Sequence, residues 1–77
     1  MTDEIISVDA RNLLCPMPVI KTQNAVLGAS AGQQVHVSCT DPGAKNDIPA
    51  WCRINGHILL SIEETENGII VIVEVGE

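Results

Sequence analysis

Alternation of apolar and polar positions sets out the strands. Over residues 4–9, Ile6 and Val8 face one way and Ile5 and Ser7 the other, the two-residue period of a half-buried strand. Val35, Val37 and Cys39 alternate with His36, Ser38 and Thr40 in the same way, giving a second strand. His57 to Glu63 reads as a third and Ile69 to Val75 as a fourth. The fourth carries Ile69-Ile70-Val71-Ile72-Val73, apolar on both faces, which suits a central position. Asn67-Gly68 predicts a tight antiparallel turn between the last two strands.

Between the strands the period changes. Pro16 to about Leu27 predicts a helix with Val19, Ile20, Val26 and Leu27 on one side, and Lys21, Thr22 and Gln23 at its edge or in solvent. Asp9-Ala10-Arg11-Asn12 makes the turn before it, and Gly28 or Gly32 ends the unit. Thr40-Asp41-Pro42-Gly43 is a second turn. The next helix is predicted from Asp47 to Asn55, with Asp47 as cap, Pro49 in the first turn and Asn55-Gly56 as stop. Ile48, Trp51 and Cys52 share one of its faces at i, i+3 and i+4.

The order is βαβαββ. Two strands joined by a helix should run parallel with a right-handed crossover. A four-stranded mixed sheet with both helices on one face satisfies every connection, as one domain over residues 1–77. His36, Ser38, Ile70 and Ile72 are left on the other face, a mixed surface that is partly solvated or a contact site.

Composition narrows the classes of function. With one aromatic residue, Trp51, the core must be built from Val, Ile and Leu. Ten acidic and four basic side chains give a net charge of −6. That opposes direct nucleic-acid binding, which needs clustered Lys and Arg, and docking on anionic membrane. It fits protein partners with basic faces, or serves solubility alone. No apolar run approaches the ~20 residues that span a bilayer. Cys15, Cys39 and Cys52 form no Cys-x-x-Cys pair and no zinc spacing, so no metal is expected. The acidic start, Met1-Thr2-Asp3-Glu4, lacks the basic region of a signal peptide. Free thiols in the reducing cytoplasm follow as the expectation.

Candidate chemistry centres on Leu13-Leu14-Cys15-Pro16-Met17-Pro18-Val19. Pro16 pushes Cys15 toward extended geometry, so the helix begins after it. Pro16 and Pro18 both fall in the first turn, where a missing N–H costs little. A thiol there should face the positive helix end and the N–H groups of Met17 and Val19, which favour a thiolate nucleophile and a persulfide anion.

With these residues on the page, the chain resembles the TusA/SirA-like sulfur carriers. Asp9 followed by Leu13-Leu14-Cys15-Pro16-Met17-Pro18 is similar to the family's Asp, Gly-Leu, Cys-Pro-x-Pro signature. Thr40-Asp41-Pro42-Gly43-Ala44 and Asp47-Ile48-Pro49-Ala50-Trp51-Cys52 resemble its Asp-Pro turn and Asp-Ile-Pro helix start. The resemblance spans nearly the whole chain. It implies a two-layer α/β sandwich (α+β) and a sulfur relay in which Cys15 holds a sulfane sulfur as a persulfide. The implied partners are a cysteine desulfurase or other sulfur-donor protein and a sulfur-acceptor protein, serving tRNA thiolation, molybdenum-cofactor supply or sulfur oxidation. No metal or organic cofactor is implied. Three positions depart from the family habit: Asn12 stands for glycine, Leu14 for a basic or polar residue, and Met17 for an acidic one.

Other residues are secondary candidates. Asp9 either braces the turn before Cys15 or ends a strand. Arg11 and Lys21 either steady a persulfide or a partner's carboxylate, or are solvated. Cys52 and Cys39 read as core thiols, Cys52 with a resolving or second sulfur-accepting role as the sharper alternative. His36 and His57 read as surface or edge residues and Trp51 as core, while Asp3-Glu4 and Glu63-Glu64-Glu66 read as solvated faces. A relay that must expose its site should be a monomer, with a dimer through the mixed sheet face as the alternative. Two alternatives stand beside the carrier: a thiosulfate-handling partner of a membrane sulfur transporter, and a regulatory interaction module.

Overall fold

A computed structural model describes residues 4–76. Met1, Thr2 and Asp3 of the acidic start, and Glu77, lie outside them. The strands are β1 (Ile6–Ala10), β2 (Gln34–Cys39), β3 (Ile58–Thr65) and β4 (Gly68–Glu74), and the helices are α1 (Met17–Leu27) and α2 (Ala44–Asn55). They follow one another as βαβαββ. The sheet order is β1-β2-β4-β3, with β1 and β2 parallel and the other two pairs antiparallel. This is the predicted mixed sheet, with the doubly apolar β4 inside it.

The core follows the alternation. Ala10, Val35, Val37, Cys39, Val71 and Val73 from the sheet meet Ala44, Ile48 and Cys52 of α2. α1 keeps part of its predicted face, since Val19 and Val26 pack against the core, and departs from the rest. Pro18 and Thr22 are its fully buried residues, whereas Ile20 is 42% and Leu27 78% exposed. Thr22 can be buried because its hydroxyl donates to the Pro18 carbonyl at 2.8 Å, so no polar group is orphaned. The spacing 18–22 puts both residues on the sheet side of the helix.

α2 begins a turn earlier than predicted. Ala44 N–H donates to Asp41 O and Lys45 N–H to Pro42 O, a tight first turn that passes into α geometry where Asp47 N–H reaches Gly43 O at 2.9 Å. Asp47 is therefore not the cap but lies within the helix, and Pro49 lies inside it. Its ring removes the bond to the Lys45 carbonyl, which lies on an exposed residue where water can replace it. The helix stops at Gly56, in the left-handed conformation at φ 78°, as Asn55-Gly56 predicted.

The β3–β4 hairpin turns on Glu66 and Asn67, because Thr65 already pairs with Gly68. Gly68 is needed for a different reason than its turn. A Cβ there would stand 2.0 Å from the Cys39 carbonyl oxygen, a backbone atom held in the β2–β4 pairing. We expect Gly68→Ala to destabilise the fold by roughly 1–3 kcal/mol, read as a lowered urea midpoint.

Candidate functional site

Parallel pairing of β1 and β2 brings their C-terminal ends to one sheet edge. The β1–α1 loop with Cys15 and the β2–α2 loop with Asp41 therefore lie side by side. Asn12 turns the first loop at φ 63°, a left-handed conformation that asparagine tolerates better than most residues, so it does fill the place of a glycine. Asn12 N–H donates to Thr40 Oγ1 at 2.8 Å. Cys15 N–H donates to Asp41 Oδ2 at 3.0 Å, and the other oxygen of that carboxylate, Oδ1, accepts the Gly43 N–H at 3.2 Å. Asp41 thus ties the cysteine loop to the start of α2.

Helix α1 starts at Met17, with Pro16 flanking it as N-cap and Pro18 at its second position, so both prolines lie at the helix start as predicted. The Cys15–Pro16 peptide is cis. The Met17 N–H, predicted to face the sulfur, donates instead to the Leu14 carbonyl at 2.9 Å. Among the described residues, the one hydrogen bond of Cys15 Sγ runs to Asp47 Oδ2, at 2.9 Å.

This reverses the expected electrostatics. The hydrogen bond to Asp47 is the largest influence, followed by desolvation and the negative charges of Asp47 and Asp41, and all of them push the Cys15 thiol up from its ordinary value. The sequence picked out Asp41 and Asp47 as motif residues but did not place them beside Cys15, where the structure puts both. The signal was present in the parallel β1–β2 connection, which places both loops at the carboxyl ends of their strands.

Cys15 is exposed, and Cys39 and Cys52 are buried. Burial lifts the Cys39 thiol to about 11 and raises that of Cys52 as well. Cys52 packs in the core beside Ile48, where the sequence placed it. Two apolar side chains flank the exposed sulfur in sequence, Leu14 at 75% and Met17 at 41% exposure.

The secondary candidates gather around Asp9. Its carboxylate accepts the backbone N–H of Arg11 at 3.1 Å and Nε at 2.9 Å through Oδ1, and an Arg11 guanidinium N–H at 3.1 Å through Oδ2. Lys21 Nζ donates to the Asp9 carbonyl at 3.0 Å. Asp9 therefore braces the turn, and both basic side chains are engaged by Asp9 and not by the Cys15 sulfur. The Arg11 hydrogen bonds hold the Asp9 carboxyl at about 2, below its ordinary 3.8. A depressed value means that this tie is complete above about pH 4 and lost as pH falls through 2. An NMR titration should place the Asp9 midpoint near 2, and Arg11→Ala should return it toward 3.8.

The remaining candidates lie elsewhere. His57 stacks on Trp51 at 4.9 Å and accepts the Gly76 N–H on Nδ1 at 3.0 Å. His36 Nε2 meets Gln34 Oε1 at 3.0 Å. Among the described residues no group of three His, Cys, Asp or Glu could hold a metal, and no helix is long and apolar enough to cross a membrane.

Comparison with known proteins agrees with the fold. The SirA-like protein of Desulfitobacterium hafniense, of known crystal structure, superposes with a TM-score of 0.76 at 28% identity, covering 96% of this chain and 100% of the other. The chain is 45% identical over 64 residues to YrkI of Bacillus subtilis, covering 83% of each. It is 40% identical over 57 residues to the sulfur carrier protein TusA of Pseudomonas putida, covering 74% of this chain and 71% of that one. In two further relatives, YrkF of Bacillus subtilis and a protein of Aquifex aeolicus, it matches 34% of the longer chain. The family model described as sulfurtransferase TusA matches residues 6–75. With that match over nearly its whole length and a SirA-like α+β fold, this chain belongs to the TusA family of sulfur carriers.

Proposed function

We propose that the protein carries a sulfane sulfur as a persulfide on Cys15. It takes the sulfur from a cysteine desulfurase or another donor protein and hands it to an acceptor protein. The observation that carries this reading is the exposure of Cys15 alone among three thiols. Its loop is tied at Asn12 and Cys15 to the β2–α2 segment, which presents the sulfur to partners from a fixed place. Two partners must reach one sulfur in turn, so the site works on the surface of a monomer in the reducing cytoplasm. Acceptors in tRNA thiolation, molybdenum-cofactor supply or sulfur oxidation all fit this chemistry.

Transfer of label tests the relay. Incubation with a desulfurase and [35S]cysteine should label the protein, and dithiothreitol should release the label. Adding a sulfur-acceptor protein should move the label to it without free sulfide as an intermediate. A protein that takes no label from any persulfide donor is not a carrier. Turnover of thiosulfate by the isolated protein would instead favour direct action on an inorganic sulfur compound.

A further inference from the structure

The sulfur of Cys15 has a carboxylate as its hydrogen-bond partner, 2.9 Å away. A second carboxylate, Asp41, is bound to the backbone N–H of the same residue. These two, from α2 and the β2–α2 loop, are the charged groups that act on the sulfur, and both are negative. Arg11 and Lys21 are engaged by Asp9. Ionising Cys15 in place would set a thiolate against Asp47 Oδ2 at contact distance.

We propose that Asp47 is a positioning residue that keeps the proton on Cys15 in the empty carrier and, with Asp41, selects sulfur donors that bring positive charge over small anionic ones. This rests on the carrier reading above. A donor whose docking face carries Lys or Arg beside its persulfide pairs with Asp47 and frees the thiol. A thiosulfate or glutathione-type anion meets two carboxylates instead. In the loading step, with Asp47 held by the donor's cation, the Cys15 proton is lost to water as Sγ attacks the donor's terminal sulfur. The Sγ–S bond forms and the donor's S–S bond breaks, its electron pair leaving on the donor cysteine as thiolate. That thiolate takes up a proton from water, so the proton balance closes. The Cys15 sulfur is oxidised and the donor's inner sulfur reduced by the same two electrons, so no outside oxidant enters.

The test needs no sulfur transfer. Alkylation by neutral iodoacetamide as a function of pH reports Cys15, because the other thiols are 1% exposed. The wild-type midpoint should lie above the ~8.5 of a free thiol, and Asp47→Asn should lower it. Each unit of lowering raises the thiolate fraction tenfold while nucleophilicity falls about threefold, a net gain of about threefold at pH 7. Disulfide exchange with cationic cystamine should outrun exchange with anionic dithiodiglycolate, relative to the same ratio for N-acetylcysteine amide. Asp47→Asn or 0.5 M salt should collapse that preference, and Asp47→Glu should keep it. A wild-type midpoint at or below 8.5, a wild-type preference of one, or a folded Asn variant with unchanged profile overturns the proposal. So does a Glu variant that behaves like Asn, and the wild-type readings stand even if the variants do not fold. Normal profiles in a protein that takes up no sulfur would instead sink the carrier reading alone.

Discussion

Cys15→Ser should abolish sulfur loading and leave the fold unchanged. An oxygen in place of the sulfur forms no persulfide, so the residual activity should be none, not a reduced rate. Exposure keeps the cost to stability within about 0.5 kcal/mol. The serine hydroxyl can still donate to Asp47, which preserves the local geometry. Cys39 and Cys52 should not substitute, because both are buried where no partner reaches them. The checks are 35S labelling of the variant, expected at background, and a thermal melt within a few degrees of wild type. Residual labelling above background would move the sulfur-bearing role to another residue.

Ile48→Ala should come close to unfolding the protein. Ile48 is 0% exposed and packs in the cluster that joins α2 to the sheet. Truncating a fully buried isoleucine costs about 2–5 kcal/mol through lost transfer energy and the cavity left behind. A 77-residue chain has a total stability of only roughly 4–12 kcal/mol. With an m-value near 1 kcal/mol per molar in urea, the midpoint should fall by about 2 M or more. The site suffers as well, because Asp47 precedes Ile48 and loses its support. In the fraction that remains folded, Cys15 alkylation should therefore move toward the Asp47→Asn profile. A midpoint unchanged within 0.5 M (about 0.5 kcal/mol) would mean that α2 is not anchored through this residue.

Much of the fold was legible because its signals are local and mutually consistent. Alternation at Val35, Val37 and Cys39, and the doubly apolar run of β4, locate strands without knowledge of their neighbours. The faces of α1 were less legible. Thr22 was read by its polarity, but a hydroxyl bonded to the Pro18 carbonyl can be buried, while Ile20 and Leu27 were free to be exposed. The start of α2 was misplaced because Pro49 suggests a first turn, whereas the hydrogen bonds beginning at Asp41 start the helix at Ala44. At the site, the thiol and its prolines were visible in one stretch of seven residues. Its electrostatics were not, since Asp41 and Asp47 lie 26 and 32 residues away and meet Cys15 only through the parallel pairing of β1 and β2. The start of α1 can be seen in the local sequence, whereas the carboxylates that raise the Cys15 thiol come from a distant stretch of the chain.

Mass spectrometry after loading tests the central claim most directly. The intact protein, exposed to a cysteine desulfurase and cysteine and analysed without reductant, should gain one sulfur atom. Fragmentation should place it on the peptide that contains Cys15. No added sulfur, or sulfur located on Cys39 or Cys52, would contradict the account.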